Sequence, residues 1–112
     1  MPFATFNGVV RTRLSPDEAR DRVDALLRST AADTELADAY GELGLLYHSH
    51  QLGQAAERCF ENAVLLAPDS FRWAYYLAWV TLQSGRNQLA LQRFEAAQKL
   101  DPDYPVLTLR MA

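Results

Sequence analysis

Cysteine is nearly missing from this chain. Of its 112 residues only Cys59 carries a thiol, so no internal disulfide can form and the redox compartment stays open. Lysine is nearly missing too. Lys99 stands alone among the cationic side chains that are otherwise arginine, and these alternate with Asp and Glu to a formal net charge of −3. With no basic stripe to track phosphates, nucleic acid is not an expected partner. No apolar run approaches the roughly 18 residues that a membrane-spanning helix needs. The opening residues MPFATFNGVVRTRL lack the basic-then-apolar order of a secretory signal. A cytoplasmic location is the default, and a periplasmic one would follow if a signal peptide had been removed.

Catalytic groupings are missing as well. His48 and His50 are two apart, which on a helix sets them about 200° apart and prevents them from sharing a metal. The glycines Gly8, Gly41, Gly44, Gly53 and Gly85 form no phosphate loop. No Ser–His–Asp set, no paired carboxylates in an apolar setting and no cofactor motif can be assembled. Cys59 reads as a small packed residue, not a nucleophile. No catalytic, cofactor-binding or metal-binding residue is expected, and the chain reads as non-enzymatic.

What the chain does have is an echo of itself. Shifted by 34 positions, Leu43 falls on Leu77, Gln54 on Gln88, Ala56 on Ala90 and Phe60 on Phe94. The match continues through Glu61/Glu95, Ala63/Ala97, Leu66/Leu100, Pro68/Pro102 and Asp69/Asp103 without insertion or deletion. A fixed period of this size marks a stacked repeat unit that buries its apolar face against its neighbours. With 49% hydrophobic residues the chain has the apolar content for one packed domain.

The spacing predicts helices throughout. Residues 1–14, with Phe3, Phe6, Val9 and Val10 off helical spacing, read as extended or poorly ordered. Ser15-Pro16-Asp17-Glu18 is a helix start with the makings of a capping box. Ala19, Val23, Leu26 and Leu27 then share one face to about Arg28 or Ser29. Pairs Glu18–Arg22 and Asp24–Arg28 are expected on the exposed side of that helix. A second helix is expected from about Glu35 to Ser49, capped by Asp33 or Thr34, with Leu36, Ala39, Tyr40, Leu43, Leu46 and Tyr47 inward. The third is expected from Gln54 to Leu66, the fourth from a cap at Asp69 or Ser70 to about Ser84, and the fifth from Asn87 to Leu100. Pro68, Gly85 and Pro102 supply the breaks. Helices joined by turns this short lie antiparallel.

At this point the residues resemble a known family. Tyr40-x-x-Leu43-Gly44-x-x-Tyr47, followed by Ala56, Phe60, Ala63 and Pro68, is similar to a bacterial-type tetratricopeptide repeat. The second copy gives Ala74-x-x-Leu77-Ala78-x-x-Thr81, Gly85, Ala90, Phe94, Ala97 and Pro102, and departs from the pattern at Ala74 and Thr81, where bulky residues are usual. The resemblance implies an all-α, right-handed α-hairpin solenoid of about five helices plus a short C-terminal helical stub. Its helical domain would cover 15–112: a degenerate helix at 15–30, repeat 1 at 37–70, repeat 2 at 71–104, and the start of a truncated third repeat at 105–112.

The resemblance also implies a binding surface. First helices of such pairs line a concave side, and in the second pair that face is aromatic. Leu45, Arg72, Tyr75, Tyr76, Trp79 and Leu82 are the expected partner-binding residues, taking up a peptide or partner helix. Trp73, Leu77 and Val80 are expected to pack as core on the preceding pair. The positions that other members use to grip a C-terminal carboxylate carry Gly41, Leu45, Tyr75 and Tyr76 here, so that mode is not expected. Two other readings stand beside this one: a docking or regulatory arm of a larger enzyme or envelope complex, and a self-associating structural module. Leu91, Val106, Leu107, Leu109 and Met111 are expected to be exposed at the C-terminal end. A homo-oligomer would form through that uncapped end or through residues 1–14.

Overall fold

The computed structural model describes residues 15–102; the expectations for 1–14 and for the stub at 105–112 lie outside the described residues. Within them the chain is all-helical. Its helices are α1 (Pro16–Leu27), α2 (Asp33–Ser49), α3 (Gly53–Leu66), α4 (Phe71–Gln83) and α5 (Asn87–Leu100). No described residue lies in a strand, and no described helix is long and apolar enough to cross a membrane.

The ends of the helices follow from their sequences. Ser15 Oγ accepts from the Glu18 amide at 3.2 Å while the Glu18 carboxylate accepts from the Ser15 amide at 3.0 Å. This is a complete capping box with proline in the first turn. Ser70 caps α4 by accepting from the Trp73 amide. Gln51 turns the chain between α2 and α3 at φ 62°, and Gly85 does so after α4 at φ 88°. Glycine adopts that left-handed conformation without steric penalty. α2 differs from expectation. It begins at Asp33 behind Ala32, with no side-chain cap, so the acidic residues Asp33 and Glu35 lie inside its first turn. There they favour the positive end of the helix dipole.

The expected ion pairs of α1 also differ. Glu18 is held by the capping box, and Arg22 instead reaches Glu42 of α2 at 2.9 Å. Arg20 pairs with Asp17 at 2.9 Å.

α2 packs on α3 and α4 on α5 as two close pairs, while α1 lies on α2 and α3 lies on α4. One cluster of buried side chains joins α1 to the first pair through Ala19, Val23, Ala39, Leu43, Leu46 and Cys59. A second, larger cluster runs from Leu45 and Phe60 through α4 to Phe94 and Ala97. Tyr40 and Tyr47 border both.

Cys59 is buried, and that burial pushes its thiol up to about 11. The thiolate is the reactive form. A disulfide reagent at pH 8 should therefore modify folded protein roughly 100-fold or more slowly than urea-unfolded protein, from the thiolate fraction alone. Equal rates would place the thiol at the surface.

Candidate interaction surface

The two helix pairs meet where glycine faces an aromatic ring. A Cβ placed on Gly41 of α2 would fall closer than 3.0 Å to three atoms of the Trp73 ring of α4. Inside the first pair the same device recurs: a Cβ on Gly44 would fall 2.7 Å from Phe60 of α3. Helices come this close only where side chains are small on one side of the contact. Trp73 is fully buried. Its indole Nε1 donates to Asp38 Oδ1 at 3.1 Å, its ring stacks on Phe60 at 6.2 Å, and the Arg72 guanidinium lies 4.3 Å above it. Trp73, Leu77 and Val80 are core, as their stripe in the sequence predicts.

α4 carries five of the six residues expected to bind a partner, and nine of its 13 residues are buried. Tyr75, Tyr76 and Trp79 are 5%, 4% and 4% exposed, and Leu45 of α2 is 1% exposed. Leu82 is half-buried, and only Arg72 is fully on the surface. Part of the reason is α5. Phe94 sets its ring edge-on to Tyr75 at 6.0 Å and to Trp79 at 5.6 Å. Aromatic pairs favour this arrangement over a face-to-face sandwich. Tyr75 also stacks on Phe71 at 5.4 Å, and Tyr76 is tilted against Phe60 at 5.9 Å. The six residues therefore do not form one open floor. Four lie in the packed interior, and two reach the surface above them.

That surface is a polar ridge shared by α2 and α4. His48 Nε2 donates to Gln83 Oε1 at 2.7 Å and ties the two helices together. Asp38 and Arg72 are exposed near its other end, with opposite charges. His50 is the C-cap of α2. Among the described residues, no three His, Cys, Asp or Glu side chains gather as metal ligands would.

On the α3–α5 side a charged lock joins the pairs. Glu57, 8% exposed, accepts from Arg93 Nη1 at 2.7 Å and from Arg86 Nη2. Arg93 also donates to Glu61 at 3.0 Å and to Thr81 Oγ1 at 2.6 Å. Thr81 is fully buried and donates in turn to the Leu77 carbonyl at 2.7 Å. Thr81 occupies the station that Tyr47 holds one repeat earlier. The space a phenol ring would fill instead admits a guanidinium with partners on three sides. An open cleft of about 410 Å³ lies beside the lock, lined by Gln54, Glu57, Arg58, Glu61, Ser84 and Arg86. No protein-family model matches the chain.

Proposed function

We propose that this chain is a non-enzymatic protein–protein interaction module, a right-handed helical-hairpin solenoid of the tetratricopeptide type. The observation that carries the reading is the seam of Gly41 and Gly44 against Trp73 and Phe60. Small side chains meet large ones there, and the Gly44–Phe60 pairing has its counterpart 34 residues on in Ala78 and Phe94. Units that nest this way extend a surface along their first helices. Here that surface is the ridge of Asp38, His48, Arg72, Leu82 and Gln83. It offers one half-buried apolar side chain, Leu82, at the His48–Gln83 end and a carboxylate and a guanidinium, Asp38 and Arg72, at the other. This chemistry suits an extended peptide or an amphipathic helix. Leu45, Tyr75, Tyr76 and Trp79 form a stiff bed beneath it, which holds the contact side chains in place at little entropic cost.

A photo-reactive amino acid at position 82 tests this in cells, with position 65 of α3 as the control; Leu65 is 77% exposed. A discrete protein adduct should form at 82 and not at 65. Arg72→Glu should cut its yield roughly tenfold or more, equivalent to a contact of about 1.4 kcal/mol. Identical adducts at both positions, or none at 82, would overturn the reading. The second reading, a self-associating module, is favoured by Leu91 and Leu100 of α5, 46% and 38% exposed. A mass that rises with concentration in sedimentation equilibrium, and falls to the monomer value in Leu91→Asp, would establish it instead.

A further inference from the structure

The charged lock between the pairs has its carboxylates engaged and part of its cationic capacity unused. Both oxygens of Glu57 are taken, Oε1 by Arg86 Nη2 and Oε2 by Arg93 Nη1. Glu61 accepts from Arg93 Nη2. Arg86 also donates through Nε to Ser84 Oγ at 3.0 Å. A guanidinium carries further N–H donors, and Arg86 Nη1 enters neither of these bonds. Arg58 lines the same cleft, is exposed, and forms no hydrogen bond or ion pair among the described residues. What the cleft is short of is an acceptor.

The charges agree. Lock and cleft hold Arg58, Arg86 and Arg93 against Glu57 and Glu61, an excess of one positive charge in a chain whose net charge is −3. The repeat does not require it, since one period on the stations of Glu57 and Arg58 carry Leu91 and Gln92. Glu57 and Ser84 already hold Arg86 in place, so a ligand pays little to order it. The cleft of about 410 Å³ shares Gln54 and Arg58 with a second one of about 370 Å³ at the start of α3. Leu52, 49% exposed, lines the second. Together they make a track that runs from Arg86 past Arg58 to an apolar side chain.

We infer that this track binds an acidic peptide segment, with a carboxylate held between Arg58 and Arg86 and the peptide running on past Gln54 toward Leu52. A carboxylate matches the planar fork of a guanidinium and accepts from it in charge-assisted hydrogen bonds. Its single charge cancels the excess. A phosphate monoester, close to dianionic at neutral pH, would instead leave negative charge beside Glu57 and Glu61. The carboxylate belongs either to an Asp or Glu side chain or to the end of a chain. None of the ridge residues Asp38, His48, Arg72, Leu82 and Gln83 lines the track, so this is a second contact surface that does not depend on the first.

Triglutamate blocked at both ends, titrated into the full isotope-labelled chain, tests this by NMR. The side-chain Nε–H signals of Arg58 and Arg86 and the backbone amides of Leu52, Gln54 and Ser84 should shift together and saturate. Blocked triglutamine should move none of them. Arg58→Gln removes no bond of the fold, so the melting temperature should hold while binding weakens roughly fivefold or more, the upper end for an exposed charge pair. Triglycine with a free C-terminus separates the two sources. Binding tighter than that of blocked triglutamate assigns the site to a chain-terminal carboxylate, and weaker binding assigns it to an acidic side chain. No saturable shift with either carboxylate peptide, equal shifts from triglutamine, or undiminished binding by Arg58→Gln would overturn the inference. So would inorganic phosphate that saturates the same signals at lower concentration than either peptide, which would make this a phosphate site. None of these results alters the adduct at position 82, so the inference can fail while the interaction reading stands.

Discussion

Replacing Gly41 by alanine should lower the melting temperature by roughly 8 °C or more, although alanine is the better helix former. Propensity alone favours the change by about 1 kcal/mol. The added methyl, however, would meet the Trp73 ring closer than 3.0 Å. A ring at the end of a flexible side chain could swing away, but this one cannot do so cheaply. It is 1% exposed, its nitrogen is held by Asp38, and Phe60 and Tyr76 flank it. Overpacking of a fixed core costs about 1–3 kcal/mol, occasionally more, and with the seam of both pairs at stake the upper end applies. The net loss is about 2 kcal/mol, and each kcal/mol moves a domain of this size by roughly 4–8 °C. Trp73→Phe in the Gly41→Ala background should recover part of the loss, with a coupling of about 1 kcal/mol in the double-mutant cycle. Gly53→Ala is the control. Nothing lies within 4 Å of a Cβ there, so it should be neutral or slightly stabilising. A Gly41→Ala variant that melts no lower than the parent would mean that the pairs do not meet at this glycine.

The helices were legible because periodicity, capping residues and prolines are local signals. All five run within about two residues of the spans expected for them, and the capping box at Ser15 and Glu18 forms with both of its bonds. The early start of α2 was not legible. Asp33 and Thr34 look like caps, yet Asp33 lies inside the helix, where its charge favours the first turn. The expected Glu18–Arg22 pair failed for a related reason, since Glu18 was already committed to the cap and Arg22 had a partner on the next helix.

Burial of the aromatic residues was harder to read. A face opposite the core of one helix looks exposed when that helix is considered with its own partner alone. Leu45 shows why it is not: the following pair covers it. The contacts between pairs nevertheless carry a signature. Asp38–Trp73 and His48–Gln83 are both 35 apart, Glu57–Arg93 is 36 and Glu61–Arg93 is 32. In a stack with a period of 34, residues separated by about one period lie side by side. A search for opposite charges at that separation would have found Arg93 between Glu57 and Glu61, which helical spacing within one segment does not reveal.

Glu57→Gln should cost about 2 kcal/mol at pH 7, and that cost should vanish in acid. Removing one partner of a buried ion pair costs roughly 3–5 kcal/mol because the other charge is stranded. The figure is lower here because Arg86 is 49% exposed and regains water. Arg93, 20% exposed, does not, and it loses its closest carboxylate. Burial pushes the Glu57 carboxyl up, but the hydrogen bonds and charges of Arg93 and Arg86 together outweigh it and hold the group below its ordinary value. A carboxyl depressed in this way stabilises the fold fully above the unfolded-state value of about 4.3, and that contribution is lost as pH falls through the folded value. The gap between parent and variant in urea unfolding should therefore be constant from neutral pH to about pH 6, narrow below about pH 5, and close once Glu57 is protonated in both states. Arg93→Lys separates charge from geometry. It keeps the cation but cannot reach Glu57, Glu61 and Thr81 together, because an ammonium lacks the planar fork. It should lose stability at every pH, including the acid range where Glu57→Gln matches the parent. A gap for Glu57→Gln that is as wide at pH 3 as at pH 7 would assign the contribution to packing and remove the lock as a charged device.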